Sequence, residues 1–197
     1  MNINPMVCFW GIFLLLTAAI LYCDRKYSLL RDSSNAAVKP YSFSDVQLAW
    51  WMTIVLSSFI TILLLKLNIP TFRDSTLILI GITGATKIAA NAVDVSDQSN
   101  PAIIRHQDSG NDSFLLDILS DADGVSIHRL QTVIFNFVFG LWFIGTVLYQ
   151  LKNFFGSIDL IIPDITNNNL ILLGLSSGTY AALKTTENKN TTVNKQP

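Results

Sequence analysis

The sequence predicts an all-α fold, a polytopic transmembrane helical bundle of about five spans built as one anchor helix plus two parallel two-helix repeats. Three observations predict it. Of the 197 residues, 50% are hydrophobic and only 14% are charged, against about 25% charged in soluble domains. Apolar runs recur near the roughly 20 residues that a bilayer-crossing helix needs. Two stretches of the chain also repeat one another's polar and small-residue pattern.

Residues 1–23 are the expected anchor. The run 6–22 carries no charge, no Lys or Arg precedes it, and Asp24, Arg25 and Lys26 follow it directly. With no small-residue cleavage site, a retained helix fits better than a signal peptide. Cys8 and Cys23 sit at its edges, about 22 Å apart on a helix, too far for a disulfide. Neither has a second metal ligand at suitable spacing, and both read as packing residues.

Residues 24–47 form a first cytoplasmic loop. Residues 48–93 make the first hairpin, with spans 48–65 and 76–93, and Trp50 and Trp51 open it at the level of an aromatic belt. Residues 94–131 make an acidic cytoplasmic loop holding Asp94, Asp97, Asp108, Asp112, Asp117, Asp121 and Asp123, half of the 14 acids. Such a loop reads as solvated, with Phe114-Leu-Leu-Asp-Ile-Leu119 as a short apolar turn for the membrane or a partner. Residues 132–184 make the second hairpin, with spans 132–151 and 170–183, and Trp142 and Tyr149 in the first of these suit the same aromatic belt. Residues 185–197 read as a disordered cytoplasmic tail.

Cytoplasmic loops hold the excess of Lys and Arg. With the amino terminus outside, Arg25, Lys26, Arg31, Lys39, Arg105, Arg129, Lys184, Lys189 and Lys195 fall inside and only Lys66, Arg73 and Lys152 outside. The chain is therefore expected with its amino terminus outside and its carboxyl terminus cytoplasmic. The net charge of −1 and the absence of a basic stripe argue against a nucleic-acid partner.

The internal repeat is carried by matched residues. Ser42 and Gln47, before the second span, match Ser126 and Gln131, before the fourth. Leu79-Ile-Gly-Ile-Thr-Gly-Ala-Thr86 matches Leu172-Leu-Gly-Leu-Ser-Ser-Gly-Thr179, which aligns Gly81 with Gly174 and Thr86 with Thr179. The later copy has extra residues between its helices, supplied by 154–168, and its segment 154–162 reads as interfacial.

Each matched position has a physical reading. Ser42 and Ser126 occupy N-cap positions, with Asp45 as a capping-box-like partner in the first copy and Arg129 in its place in the second. Gln47 and Gln131 either bond across the repeat interface or face headgroups. Gly81 to Ala85 and Gly174 to Gly178 are small-xxx-small steps that let helices approach closely, which places the third and fifth spans at the centre. The hydroxyls of Thr83, Thr86, Ser176, Ser177 and Thr179 then either satisfy nearby carbonyls or line a polar path through a homo-oligomer. Lys87 either snorkels to the interface or serves gating.

Several chemistries find no support. Gly81 to Lys87 lacks the spacing of a phosphate-binding loop, and Asp121-Ala-Asp123-Gly124 has Leu119 and Leu130 where a calcium loop needs acids. His106 and His128 have no nucleophile or orienting partner placed by a motif. No catalytic, cofactor-binding or metal residue is read from the sequence, and no enzyme activity is expected.

Residues 25–32, Pro40-Tyr-Ser with Gln47-Leu-Ala-Trp-Trp51, Leu116-Asp-Ile-Leu-Ser-Asp121 and 126–131 resemble an uncharacterised family of bacterial multi-pass inner-membrane proteins. The resemblance covers nearly the whole chain and implies a prokaryotic inner membrane, with no activity to carry over. Two functions of different class remain. One is an oligomeric sensor or anchor that engages a soluble cytoplasmic partner, for instance in a bacterial stress or phage-defence (antiviral) system. The other is a homo-oligomeric ion channel or pore lined by the small-residue helices.

Overall fold

The structure, a computed structural model, describes residues 4–100, 103, 105–109, 113–121, 124–153 and 157–188. Among them lie six α-helices: α1 (Pro5–Tyr27), α2 (Phe43–Lys66), α3 (Asp74–Gln98), α4 (Phe114–Leu119), α5 (Ile127–Asn153) and α6 (Asn167–Glu187). The only strands among the described residues, Ser120–Asp121 and Gly124–Val125, pair antiparallel as a two-residue ribbon. The chain is mostly helical, as expected.

Four helices, α1, α2, α3 and α5, are long and apolar enough to cross a membrane. The expected fifth span, α6, has 21 residues, but its Asn-rich start, Gly-Ser-Ser-Gly-Thr centre and Lys184 leave it less apolar than the other four. Residues 154–156 and 189–197, which carry part of the expected interfacial segment and most of the expected tail, lie outside the described residues. So do Asp112 and Asp123.

Helix ends follow local chemistry. Asn4 caps α1, its side chain accepting from the Met6 amide at 3.0 Å ahead of Pro5 in the first turn. Ser28 closes that helix in the left-handed conformation at φ 56, with Arg25 and Lys26 placed well for the helix dipole. Ser42 caps α2, its Oγ accepting from the Asp45 amide at 3.4 Å.

Helices overrun the apolar runs. The first turn of α2 starts at Phe43, α5 starts at Ile127, and α3 continues to Gln98, so the connections 28–42 and 99–126 are shorter than hydropathy suggests. Polar turns continue a helix outside lipid, where apolar content gives no signal. The tail is likewise shorter: α6 runs to Glu187, and Asn188 is buried, donating to Asp97 Oδ2 at 2.9 Å.

Two antiparallel helix pairs stand side by side, α2 with α3 and α5 with α6. Between them α2 packs on α5 and α3 on α6, while α1 lies outside against α2 and α5. The core is apolar, centred on Trp51, Ile54, Ile62, Leu79, Phe143 and Leu173. Helix α1 adds Phe9 to it and leaves Val7, Leu14, Leu15 and Leu21 exposed. A row of large apolar side chains on this scale is stable against lipid and is an aggregation liability in water.

The bundle has two unlike ends. One carries the long connections 28–42 and 99–126, the other the shorter ones after α2 and α5. At the short-loop end the Asp164 carboxylate accepts from Ser75 Oγ at 2.6 Å, and the Thr71 amide donates to Asp159 at 3.0 Å. That amide, helped by Ser157, holds the exposed Asp159 carboxyl below its ordinary range.

Candidate functional site

A polar node sits inside the bundle towards the long-loop end. Gln47 Nε2, on the second turn of α2, donates to Asn136 Oδ1 at 3.0 Å and to Ser177 Oγ at 2.9 Å. Trp51 Nε1 donates to the same Asn136 oxygen at 2.7 Å. Asn136 is itself anchored, its Nδ2 donating to the Thr132 carbonyl at 2.8 Å. The Gln47 amide thereby joins three helices, and in an apolar surround each such bond also spares the cost of an orphaned group. Gln47 Oε1 is buried with no hydrogen-bond partner.

Neighbouring tryptophans fix how α2 meets α5. Trp50 Nε1 donates to the Asn136 carbonyl at 3.1 Å, and its ring stacks on Phe137 at 5.8 Å. It lies so close to Gly140 that an added Cβ there would stand 2.5 Å from Trp50 Nε1. Trp51 is 1% exposed. The aromatic-belt expectation is therefore corrected for this pair: both indole N–H groups find acceptors inside the protein rather than at headgroups, while Trp142 on α5 is exposed.

A charged cluster lies beyond the node, at the long-loop end. Lys184 Nζ contacts Asp94 Oδ2 at 2.7 Å and Asp32 Oδ2 at 3.3 Å, with its side chain 2% exposed. Arg105 adds a 3.6 Å contact to Asp94 and a 3.9 Å contact to Asp108. Gln107 Nε2 donates to Asp94 at 3.4 Å, and Ser34 Oγ donates to the Gln107 carbonyl at 2.9 Å. Burial pushes the Asp32 carboxyl up, yet the Lys184 ammonium and hydrogen bonds together hold it below its ordinary range. Asp94 and Asp97 thus belong to the buried last turns of α3, which corrects the expectation of a solvated acidic loop.

Further ion pairs close each helix pair at this same end. Lys87 Nζ meets Asp45 Oδ2 at 2.6 Å, joining α3 to α2. Arg129 Nη2 meets both Glu187 oxygens, at 2.7 and 2.8 Å, joining α5 to α6, and its guanidinium lies 5.3 Å from the Tyr180 ring centroid. Asp45 is therefore a salt-bridge partner rather than the far half of a capping box, and Lys87 is paired rather than reaching for the interface alone.

Sequence-predicted positions divide into three groups. Ser42, Gln47 and Ser177 are buried and bonded as described. Thr83 and Thr86 are buried and donate to the carbonyls of Ile80 and Ile82 at 2.9 and 2.8 Å. Ser176 and Thr179 meet Gln131, His128 and Thr132 in a small cleft of about 90 Å³ between α5 and α6.

The third group faces outward: Gly81, Ala85 and Gly178 are exposed, with nothing within 4 Å of a Cβ added at either glycine. The close approach of α3 to α6 instead uses Gly174, where the added Cβ would touch Ile82 Cδ1 at 3.4 Å. Gln131 is exposed while Gln47 is buried, so the two matched glutamines have different surroundings. Ser126 stands before α5 with its carbonyl accepting from the Leu130 amide.

Sequence reasoning missed Asn136, Gly140 and Lys184 as organising residues. A lone Asn inside an apolar run is the one available signal, because such a residue in a span must find partners in the protein. Among the described residues no group of His, Cys, Asp or Glu is placed to hold a metal ion. Compared with known proteins, the chain matches no family, no curated protein and no solved structure.

Proposed function

We propose that the chain is an oligomeric component of a bacterial inner membrane, acting as anchor or sensor for a soluble cytoplasmic partner, for instance in stress or phage defence. The observation that carries this reading is the Asp32, Asp94, Lys184 and Arg105 cluster. Buried ions cost several kcal/mol each unless paired, and here they tie the connection 28–42 and residues 105–109 to the ends of α3 and α6. The long-loop end is thereby a fixed platform rather than a set of free loops.

On that platform α4 presents Phe114, Leu115 and Leu116, all exposed. These are the side chains offered to the partner. The Lys and Arg distribution supports a cytoplasmic position for this end and an outside amino terminus. Pull-downs from native membranes test the reading: the wild-type chain is expected to recover a soluble protein that Leu115→Glu with Leu116→Glu releases. Recovery of the same set of proteins by both chains ends it.

A homo-oligomeric pore is the second reading, favoured by the outward small residues Gly81, Ala85 and Gly178 and by the polar cleft of Gln131, Ser176 and Thr179. Outward small residues permit close packing between copies. The path then runs between protomers, because Thr83, Thr86 and Ser177 are engaged within one. Ion flux through liposomes that is absent, or unaltered by Ser176→Leu and Thr179→Leu, rules it out.

A further inference from the structure

An apolar groove of about 230 Å³ runs between α1 and α2 towards the long-loop end. Its α1 wall is Phe13, Ile20 and Leu21, and its α2 wall is Val46, Ala49 and Trp50. Thr17 also lines it, but its hydroxyl donates to the Phe13 carbonyl at 2.8 Å, so it presents little polarity to an occupant. The groove is smaller than the ~300–1,000 Å³ of a drug-sized pocket and narrow enough for one hydrocarbon chain.

Charge at its mouth selects the occupant. Residues 13, 17 and 21 share one face of α1, and the next position on that face is Arg25. Arg25 is exposed and has no ion pair among the described residues. The neighbouring Asp24 does not neutralise it, because Asp24 is buried, accepts from the Leu30 amide at 2.9 Å and contacts Arg31 at 3.5 Å.

We propose that this groove holds one acyl chain of an anionic phospholipid, whose phosphate is taken by Arg25; the inference rests on the membrane reading above. Phe114 of α4 also lines the groove, and it packs edge-on against Tyr41 at 4.9 Å. A lipid in the groove therefore touches the same short helix that is offered to the partner. Lipid occupancy and the position of α4 are coupled through that one ring.

The test uses the full chain reconstituted in vesicles of equimolar phosphatidylglycerol and phosphatidylcholine, followed by native mass spectrometry of the retained lipid. One phosphatidylglycerol is expected, preferred over phosphatidylcholine by about fivefold, the worth of one arginine near a headgroup layer. Arg25→Gln is expected to retain a lipid without the preference. Ala49→Phe, and from the opposite wall Thr17→Phe, are expected to retain none while melting as the wild type does. Equal retention of both lipids by the wild type, an undiminished preference in Arg25→Gln, or a lipid kept by both filled variants overturns the proposal. Release of the chain from native membranes by alkaline carbonate overturns the membrane reading itself and the groove with it, whereas a carbonate-resistant chain that holds no lipid overturns the groove alone.

Discussion

Gly140 shows how much can hang on the absence of one methyl group. An alanine there drives its Cβ into the Trp50 indole, whose own position is fixed by Phe137 and by the Asn136 carbonyl. Overpacking of this kind costs about 1–3 kcal/mol, so Gly140→Ala is expected to lower the melting temperature in detergent. Gly81→Ala, facing open space, is expected to match the wild type or exceed it by up to about 1 kcal/mol, since alanine is the better helix former. For the proposed oligomer, a Gly81→Ala chain that melts normally but no longer self-associates as the wild type does would place a copy-to-copy contact on that face.

Asn136 is the other residue-scale case. Asn136→Leu removes the shared acceptor of Gln47 and Trp51 and leaves two buried donors unmet, at about 1–3 kcal/mol. Gln47→Leu in that background should then cost less than it does in the wild type, because one orphaned donor disappears with it; additive losses in a double-mutant cycle would refute the node as a unit. The amide's central place was hidden in the sequence because its partners Gln47 and Trp51 on α2 are far away in the chain.

Among the elements, the two helix pairs are closed by ion pairs of opposite sense. Asp45 at the start of α2 is acidic and takes Lys87, whereas Arg129 at the start of α5 is basic and takes Glu187. Arg129→Glu is expected to fray the end of α6, read as faster amide exchange over residues 183–188, and Arg129→Glu with Glu187→Arg should restore much of the protection. Aligning the two matched segments sets Arg129 where the first has Asp45, and only the fold shows that each has its own counter-ion.

The connection 28–42 is held by comparable chemistry. The Arg31 guanidinium lies 3.6 Å from the Tyr41 ring centroid, its Nη1 donates to the Lys39 carbonyl at 2.7 Å, and Asp117 accepts from the Tyr41 amide at 3.0 Å. Asp32 then joins it to α6 through Lys184. Because the folded carboxyl of Asp32 titrates below its unfolded value of about 3.9, its contribution is present above that pH and fades as pH falls through the folded value. The stability difference between wild type and Asp32→Asn should shrink on acidification below about pH 4; a difference that widens there would contradict this assignment.

Across the whole molecule, Lys184 carries the largest single stake. Its side chain is 2% exposed and bridges two carboxylates from distant segments, so Lys184→Met leaves buried charge uncompensated, a loss of about 3–5 kcal/mol. Loss of both α6 protection and the order of residues 28–42 is expected together in hydrogen exchange. A loss confined to α6 would show that the cluster does not link them.

Composition and run length by themselves determined that this chain is helical and bears several helices able to cross a membrane, because lipid demands long apolar segments whose backbone bonds are internal. Local residue chemistry likewise announced the cap at Ser42 and the dense charge near the long-loop end. Which polar residues face inward was decided only by tertiary structure. Gln47 and Gln131 are matched in sequence yet one is buried and the other exposed, and Gly174 is packed while Gly81 is bare. The reason is physical: hydropathy reports how much of a helix avoids water, but in lipid both faces do so, and only contact with another helix tells the inner face from the outer.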